Sequence, residues 1–583
     1  MIKQKIANSI KKSIKSIQKK YALGKIPEFI IERPKKESFG DYATNAAIIL
    51  GRSLNKNPMG IGKDLVSKIK KDKSIYPHIF EKIELVKPGF INFTLSKEFL
   101  QKHLLEIQKT KKKFDWQEIG KKKTVIIDYS SPNIAKPMHV GHLRSTIIGQ
   151  SLYNIYKFLG YKVIGDNHIG DWGTQFGKLI YAYKNWGDKK KIDESPIREM
   201  TKLYVRFHRE SEKDEKLEEF ARMETKKLQD KDKENIKIWE FLVKESLKDF
   251  NKIYKLLGIK FDYVLGESFY DPMLESVVND ALKKKVACLS QGAVIIPLEK
   301  YSLPAFLIRK SDNAFLYATG DLAAIKWRLN KFKPWRIIYV VSNEQTLYFQ
   351  QLFQSAELLK LTSKDKLVHI KFGMVLGKDK KKFSTRRGEA IALEELIEKA
   401  IRLARKVVEE KNPKLSKTEK EKIAKVVGIG AIKYNDLSQN RLTDISFNWD
   451  KMLNLQGNSA PYLQYTHARI KSILRKSPFC HSGLVEGSQF NPSLLKNKLE
   501  ISLLRQLLFF PETVERAARE YSPNIIADYI YKLATRFNLF YTKIPVLKAE
   551  KNLCQARLNL ISAIAIILKK GLALLGIEAP EKM

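Results

Sequence analysis

Isoleucines at positions 2, 6, 10, 14 and 17 recur three to four residues apart with lysines between them, the spacing of one buried face on a first helix. The run IELVKPGFINFTL, 83–95, reads instead as short strands, so the first hundred residues predict an α+β domain. The charged stretch KTKKKFDWQEIGKKK, 109–123, follows as a linker. At 124–128 the pattern becomes a buried strand, then a Ser/Pro/Asn loop, then the helical run HLRSTIIGQSLYNIYKFL that stops at Gly160. YKVIGDNHIG supplies the next strand. Strand, loop, helix, strand is the opening of a doubly wound parallel sheet, which takes its ligands at the carboxyl ends of the strands.

From about 178 to 290 the mixed charges of segments such as RESEKDEKLEEFARMETKKLQDKDKENIK predict exposed helices inserted into that sheet. Strand-like runs return at GAVIIPL, AFLIRK, RIIYVV and LVHIKFGMVLG and are expected to complete the sheet by about residue 380. Beyond 390 the pattern is almost wholly helical, broken only by SPFCHSGLVEGSQFNPS at 477–493, and predicts a bundle. No internal repeat is visible. The expected domains are therefore 1–115, 116–395 with the helical insertion, and 396–583.

Three domains suit a chain of 583 residues, too long for one core. Composition is that of a globular protein and stands out mainly through its charge. Lys and Arg number 107 against 64 Asp and Glu, a formal +43 with a pI near 9.8, which suits a polyanionic partner. A Lys-rich bias that only decorates solvated faces is the competing explanation. Cys288, Cys480 and Cys554 lie far apart with no C-x-x-C pair, which signals neither a disulfide framework nor a cysteine-rich zinc site and fits a reducing, cytoplasmic setting. The longest apolar stretch, Leu558 to Leu568, contains Asn559 and Ser562 and stops at Lys569. That is well short of the roughly 20 residues that span a bilayer, so no membrane partner is expected. The N-terminus lacks the apolar core of a secretory signal and the arginines usual in a mitochondrial presequence.

Candidate chemistry sits at the first strand–helix junction, SSPNIAKPMHVGHLRST, 130–146. A helix start after a parallel strand offers free N–H groups and partial positive charge to phosphate oxygens. His139 and His142 add donors there, and Gly141 lets a flat ring approach the backbone. Read as a metal pair, H-x-x-H lacks a third ligand nearby. A second cluster, FGMVLGKDKKKFSTRRGEAI at 372–391, leaves a strand into a loop crowded with Lys380, Lys381, Lys382, Arg386 and Arg387 around Ser384 and Thr385. Such a loop suits a triphosphate, although a charge run alone is more often a solvated loop.

HVGH resembles the HIGH signature of class I aminoacyl-tRNA synthetases, and KFSTR resembles their KMSKS signature, in that order along the chain. DYSSPNIAKPMHVGHLRSTIIG, GDNHIGDWGTQFGKL, KSDNAFLYATGDLAA, GNSAPYLQYTHARI, LLGIEAPEKM and, near the N-terminus, ESFGDYATNAA resemble one member family, the arginyl-tRNA synthetases. The resemblance implies an α/β multidomain protein with a Rossmann-type catalytic domain, an N-terminal α+β tRNA-binding domain and an all-α anticodon-binding bundle. It implies ATP-dependent attachment of L-arginine to its tRNA through an adenylate, with Mg2+ accompanying the ATP and no structural metal. A monomer is expected, as is arginine activation only when tRNA is bound.

By the same resemblance, His139, Gly141 and His142 serve the phosphates, with Lys382, Ser384 and Arg386 in the second signature. The second lysine of KMSKS is Thr385 here, and Lys136, just upstream of HVGH, matches a position that compensates for it. Asp128 and Asp321 match carboxylate positions for the substrate guanidinium, Tyr317 and Gln345 match pocket positions, and Ser131 and Asn133 match those handling the amino acid's backbone groups. From the residues alone, Asp128 as a loop cap, Asp321 as a helix cap and Tyr317 as core are the favoured readings. Pro132, His168, Gly170, Asp171, Gly173, Gly373 and Met374 complete the nucleotide set. Tyr462, Tyr465 and Arg469 fall in a segment resembling the anticodon-binding domain and could meet unpaired bases and phosphate, although aromatics at this helical spacing could equally be core, as Leu463 and Ile470 are read; Tyr42 and Asn45 match positions that touch the tRNA elbow. The roughly 240 positions between the two signatures leave little room for the large editing domain of the valine, isoleucine and leucine enzymes, and the cysteine enzyme's zinc-binding cysteines are missing. A non-catalytic RNA-binding paralogue or a small-molecule nucleotidyltransferase is the remaining alternative. The intact motif residues and the helical C-terminal region, respectively, stand against these.

Overall fold

The structure is a computed structural model that describes residues 2–21, 25–109, 119–376, 392–477 and 490–583. The chain forms two compact units: one comprises 1–114, 473–510 and 535–566, the other 115–472, 511–534 and 567–583.

The larger unit is built on five parallel strands, β1 (Thr124–Asp128), β2 (Lys162–Asn167), β3 (Tyr263–Val264), β4 (Arg336–Ser342) and β5 (Leu367–Phe372), in the order β5-β4-β1-β2-β3. Val125, Ile126 and Ile127 of β1 are fully buried, as expected for a strand with neighbours on both edges and cover on both faces. Helix α1 (Val140–Phe158) returns the chain from β1 to β2. The chain later adds β4 on the other side of β1, so the strand order reverses between β1 and β4, where such sheets open a ligand crevice.

Two excursions interrupt the sheet. Between β2 and β3 run five helices, from Thr174–Trp186 to Lys233–Leu257. Between β3 and β4 lies an antiparallel three-stranded sheet of Cys288–Ser290, Ala293–Ile296 and Phe306–Arg309. GAVIIPL and AFLIRK thus build this second sheet and do not complete the parallel one. Their burial alternates residue by residue, the mark of a strand with one wetter face, whereas β1 and β4 are buried continuously. Helix α2 (Tyr317–Phe332) then leads back to β4, packing Leu322 and Ile325 into a core with Ile126, Ile164 and Ile337 of the sheet.

Behind α1, the Arg144 guanidinium is fully buried and donates to both carboxylate oxygens of Asp436, at 3.0 Å each, and to the carbonyls of Thr443 and Arg441. This fork ties the HVGH helix to helix Lys417–Leu437 and to the segment running beside residues 373–376.

In the smaller unit, a four-stranded antiparallel sheet carries helices Ile2–Tyr21, Ala46–Leu54, Pro58–Lys70 and Lys97–Lys109. Ile6, Ile10 and Ile14 are completely buried, so the apolar stripe is the inner face of the first helix. C-terminal helical residues belong to this unit: Arg505 pairs with buried Asp41 at 2.7 Å, and Gln101 and Gln108 donate to the carbonyls of Leu495 and Asn559. Among the described residues no helix is long and apolar enough to cross a membrane.

Candidate active site

The loop leaving β1 is under backbone strain. Ser130, Ser131 and Ala135, none of them glycine, have φ of +77°, +49° and +61°. The surroundings impose it: the Ser130 N–H donates to Ser145 Oγ, the Ser131 N–H to Asn167 Oδ1 at 3.0 Å, and the Ala135 N–H to Ser246 Oγ. Pro132 and Ile134 exchange backbone bonds with Gly170, so the loops after β1 and β2 are laced together. A Cβ at Gly170 would lie 2.1 Å from Asn133 Oδ1.

At the start of α1 the two histidines cap the helix and each other. His139 Nδ1 accepts from the Gly141 N–H at 3.0 Å, and His142 Nδ1 accepts from the His139 N–H at 3.2 Å, with the rings 4.0 Å apart. A neutral imidazole that accepts at Nδ1 carries its proton on Nε2, so both rings keep an Nε2–H donor. Burial, the neighbouring histidine and the Lys136 charge hold them neutral: His139 is shifted down, and His142 down to about 3. The flat ring that Gly141 admits is the protein's own, because a Cβ there would come within 2.7 Å of the His139 ring. The Lys136 ammonium lies 4.3 Å from the centre of the Tyr204 ring, and burial lowers its pKa. Ala392 is bridged to His139, and the Leu393 N–H donates to the Met138 carbonyl. Lys382, Ser384 and Arg386, with the rest of 377–391, lie outside the described residues.

Across the crevice α2 presents Tyr317, 67 % exposed, and Asp321, which accepts the Tyr348 hydroxyl. Tyr317 is therefore not core. Burial raises Asp321, with His168 and Tyr348 opposing it. Beside it stands a carboxylate that sequence reasoning missed. Glu267 opens the turn after β3, and burial, then the Asp171 and Asp321 charges, push it up to about 8. Burial, and after it the Glu267 charge, raises the Tyr317 hydroxyl. The motif around Glu267, GESFY, has no periodicity to distinguish it, and only its place at a strand end marks it. Gln345 is exposed in the turn that follows β4.

Several expected contacts are already made inside the protein. Asp128 is buried, with one oxygen accepting from the Ser131 hydroxyl and the other paired with Arg328 Nη2 at 2.6 Å. Asp171 accepts from both the N–H and the hydroxyl of Ser268, so it caps the Glu267 turn. His168 Nδ1 donates to the Leu265 carbonyl at 2.9 Å, and Gly173, at φ +104°, starts helix Thr174–Trp186. The N–H groups of Gly373 and Met374 go to the Arg441 carbonyl and Asp444, so both donors are already used, while the Met374 carbonyl accepts from Ile445 and keeps a second lone pair. Tyr42, expected at the tRNA elbow, is instead core: it is 1 % exposed and packs edge-on against Phe80 and Phe509. Asn45 accepts from the Ile30 N–H through Oδ1. On helix Ala460–Arg475, Leu463 and Ile470 are buried as expected, Tyr462 packs near Tyr531, and Arg469 lies over the Tyr465 ring at 4.8 Å on a partly exposed face.

Three family descriptions match the chain: the catalytic domain of class I tRNA synthetases (R) over residues 103–449, the DALR anticodon binding domain over 463–583, and the arginyl tRNA synthetase N-terminal domain over 2–95. An arginine-tRNA ligase of Fusobacterium nucleatum is 45 % identical over 548 residues, 94 % of each chain, and one of Alkaliphilus metalliredigens is 40 % identical over 582 residues, covering 100 % of this chain and 99 % of that one. Among solved structures, an arginyl-tRNA synthetase of Plasmodium falciparum superposes with a TM-score of 0.83 at 30 % identity, over 100 % of this chain and 99 % of that one. That of Thermus thermophilus gives 0.82 at 25 %, over the whole of both chains.

Proposed function

The chain belongs to the arginyl-tRNA synthetases, ligases that join arginine to its tRNA at the expense of ATP, and from that premise we propose how its residues divide the reaction. The arginine carboxylate attacks the α-phosphate of ATP, pyrophosphate leaves, and the terminal ribose hydroxyl of the tRNA then takes the arginyl group from the adenylate. Negative charge grows on phosphate oxygens in the first step, so fixed donors and cations carry the rate. The observation that supports the assignment best is the pair of neutral Nε2–H donors at the start of α1, beside Lys136. His139 and His142 hold the phosphates, and Lys136 leaves the Tyr204 ring to neutralise the charge that the missing second lysine of the KMSKS-like loop would meet. Lys382, Ser384 and Arg386 of the KMSKS-like run add cationic and hydroxyl donors for the phosphates. Magnesium accompanying the ATP would offset negative charge on the triphosphate.

The substrate guanidinium is read by Asp321 and Glu267 under the Tyr317 ring, with Gln345 at the rim; Asp128 is left to Arg328. Ser131 and Asn133, on the strained loop, receive the amino acid's own amino and carboxylate groups. In the catalytic unit Tyr465 and Arg469 face the tRNA, and the enzyme works as a monomer in the cytoplasm.

Transfer of each labelled amino acid to total tRNA, with ATP and magnesium, tests the reading, comparing the wild type with Lys136→Ala. Charging with arginine alone, falling about a hundredfold or more in the variant, is the expected result for loss of a transition-state charge contact. Undiminished charging in the variant overturns the role of Lys136. Pyrophosphate exchange with and without tRNA tests whether activation waits for tRNA.

A further inference from the structure

Tyr317, Asp321 and Arg328 are spaced by four and seven residues, so they share one face of α2. Arg328 is 1 % exposed and bridges two strand ends at once: Nη2 to Asp128 at 2.6 Å, and Nη2 and Nε to Asp166 at 2.8 and 3.1 Å. Tyr339 of β4 lies beneath the guanidinium, 5.6 Å from it. Asp128 passes the constraint on through Ser131, whose hydroxyl it accepts. An internal guanidinium thus occupies the two carboxylates at the ends of β1 and β2, in a pocket whose substrate ends in the same group. The two carboxylates left beside Tyr317 are Asp321 and Glu267.

We propose that Arg328 is a positioning residue for arginine specificity: its fork fixes the helix that presents Tyr317 and Asp321 against the ends of β1 and β2, and satisfies the carboxylates that would otherwise compete for the substrate guanidinium. The inference rests on the assignment of the guanidinium to Asp321 and Glu267. A lysine at 328 keeps the charge but cannot bridge both carboxylates as a planar fork.

The test measures arginine KM, ATP KM and kcat for tRNA charging, with thermal unfolding as the check on folding. The variants are Arg328→Lys, the neutral triple Arg328→Met, Asp128→Asn, Asp166→Asn, which leaves no charge buried alone, and Asp321→Asn. Arg328→Lys and the triple variant are expected to raise arginine KM by about tenfold or more while ATP KM stays within about twofold, a loss of arginine-specific binding. A folded Arg328 variant with unchanged arginine KM, or with both KM values rising in parallel, overturns the proposal. Should Arg328→Lys fail to fold, the triple variant decides. Asp321→Asn separates the two readings. An unchanged arginine KM there sinks the guanidinium pocket, whereas a raised one with normal Arg328 variants sinks only the inference.

Discussion

At the scale of single residues, chemistry follows from which polar groups the fold leaves unanswered. Asp128 closes β1 and Asp321 stands in the second turn of α2, and both are aspartates at expected guanidinium positions, but one is sealed by Arg328 and the other lies beside Glu267 and Tyr317. The pairing of Asp321 with Glu267 has a titration consequence. Glu267 is pushed up to about 8, so at pH 7 it is mostly protonated in the free enzyme, and a bound guanidinium favours its carboxylate. Arginine binding at pH 7 is therefore expected to release a proton, read by calorimetry in buffers of different ionisation heat, and the release should vanish in Glu267→Gln. The affinity for arginine should rise between pH 6 and 8 as the carboxylate forms on its own. A proton count of zero in the wild type would remove Glu267 from the pocket.

At the scale of elements, the HVGH turn is a capping device before it is a catalytic one. Both Nδ1 atoms are consumed by backbone N–H groups at the start of α1, and that fixes which nitrogen points outward with its hydrogen. Gly141 is required because its missing Cβ makes room for the His139 ring. Gly141→Ala should displace that ring, cost about 1 kcal/mol through the lost cap, and lower kcat more than arginine KM; urea unfolding with steady-state charging would read both. Equal loss in Gly141→Ala and a distant surface Gly→Ala would deny the ring a role.

Across the whole molecule, buried ionisable groups join distant stretches of chain. Lys433 in the larger unit donates to the Leu257 and Gly576 carbonyls, and burial lowers it to about 8. Its folded pKa lies below the unfolded 10.5, so the unfolded chain binds the extra proton between those values, and stability should rise with pH from about 8 to 10.5. Lys433→Met should flatten that rise in denaturant midpoints taken from pH 7.5 to 10, and a wild type with no alkaline rise would contradict the burial. Local patterns sufficed for the helical stripe of the isoleucines, the β1–α1–β2 opening and the two histidines at a helix start, because each is a short-range arrangement of a few neighbouring residues. Tyr42 and Asp128 carried no such mark, since a tyrosine beside Phe80 and Phe509, or a carboxylate beside Arg328, is defined by partners far away in the chain. Helices, strands and the HVGH and KFSTR signatures are written in neighbouring residues and so could be read directly, whereas which carboxylates, N–H groups and rings are left for the substrates depends on what the fold brings against each polar group.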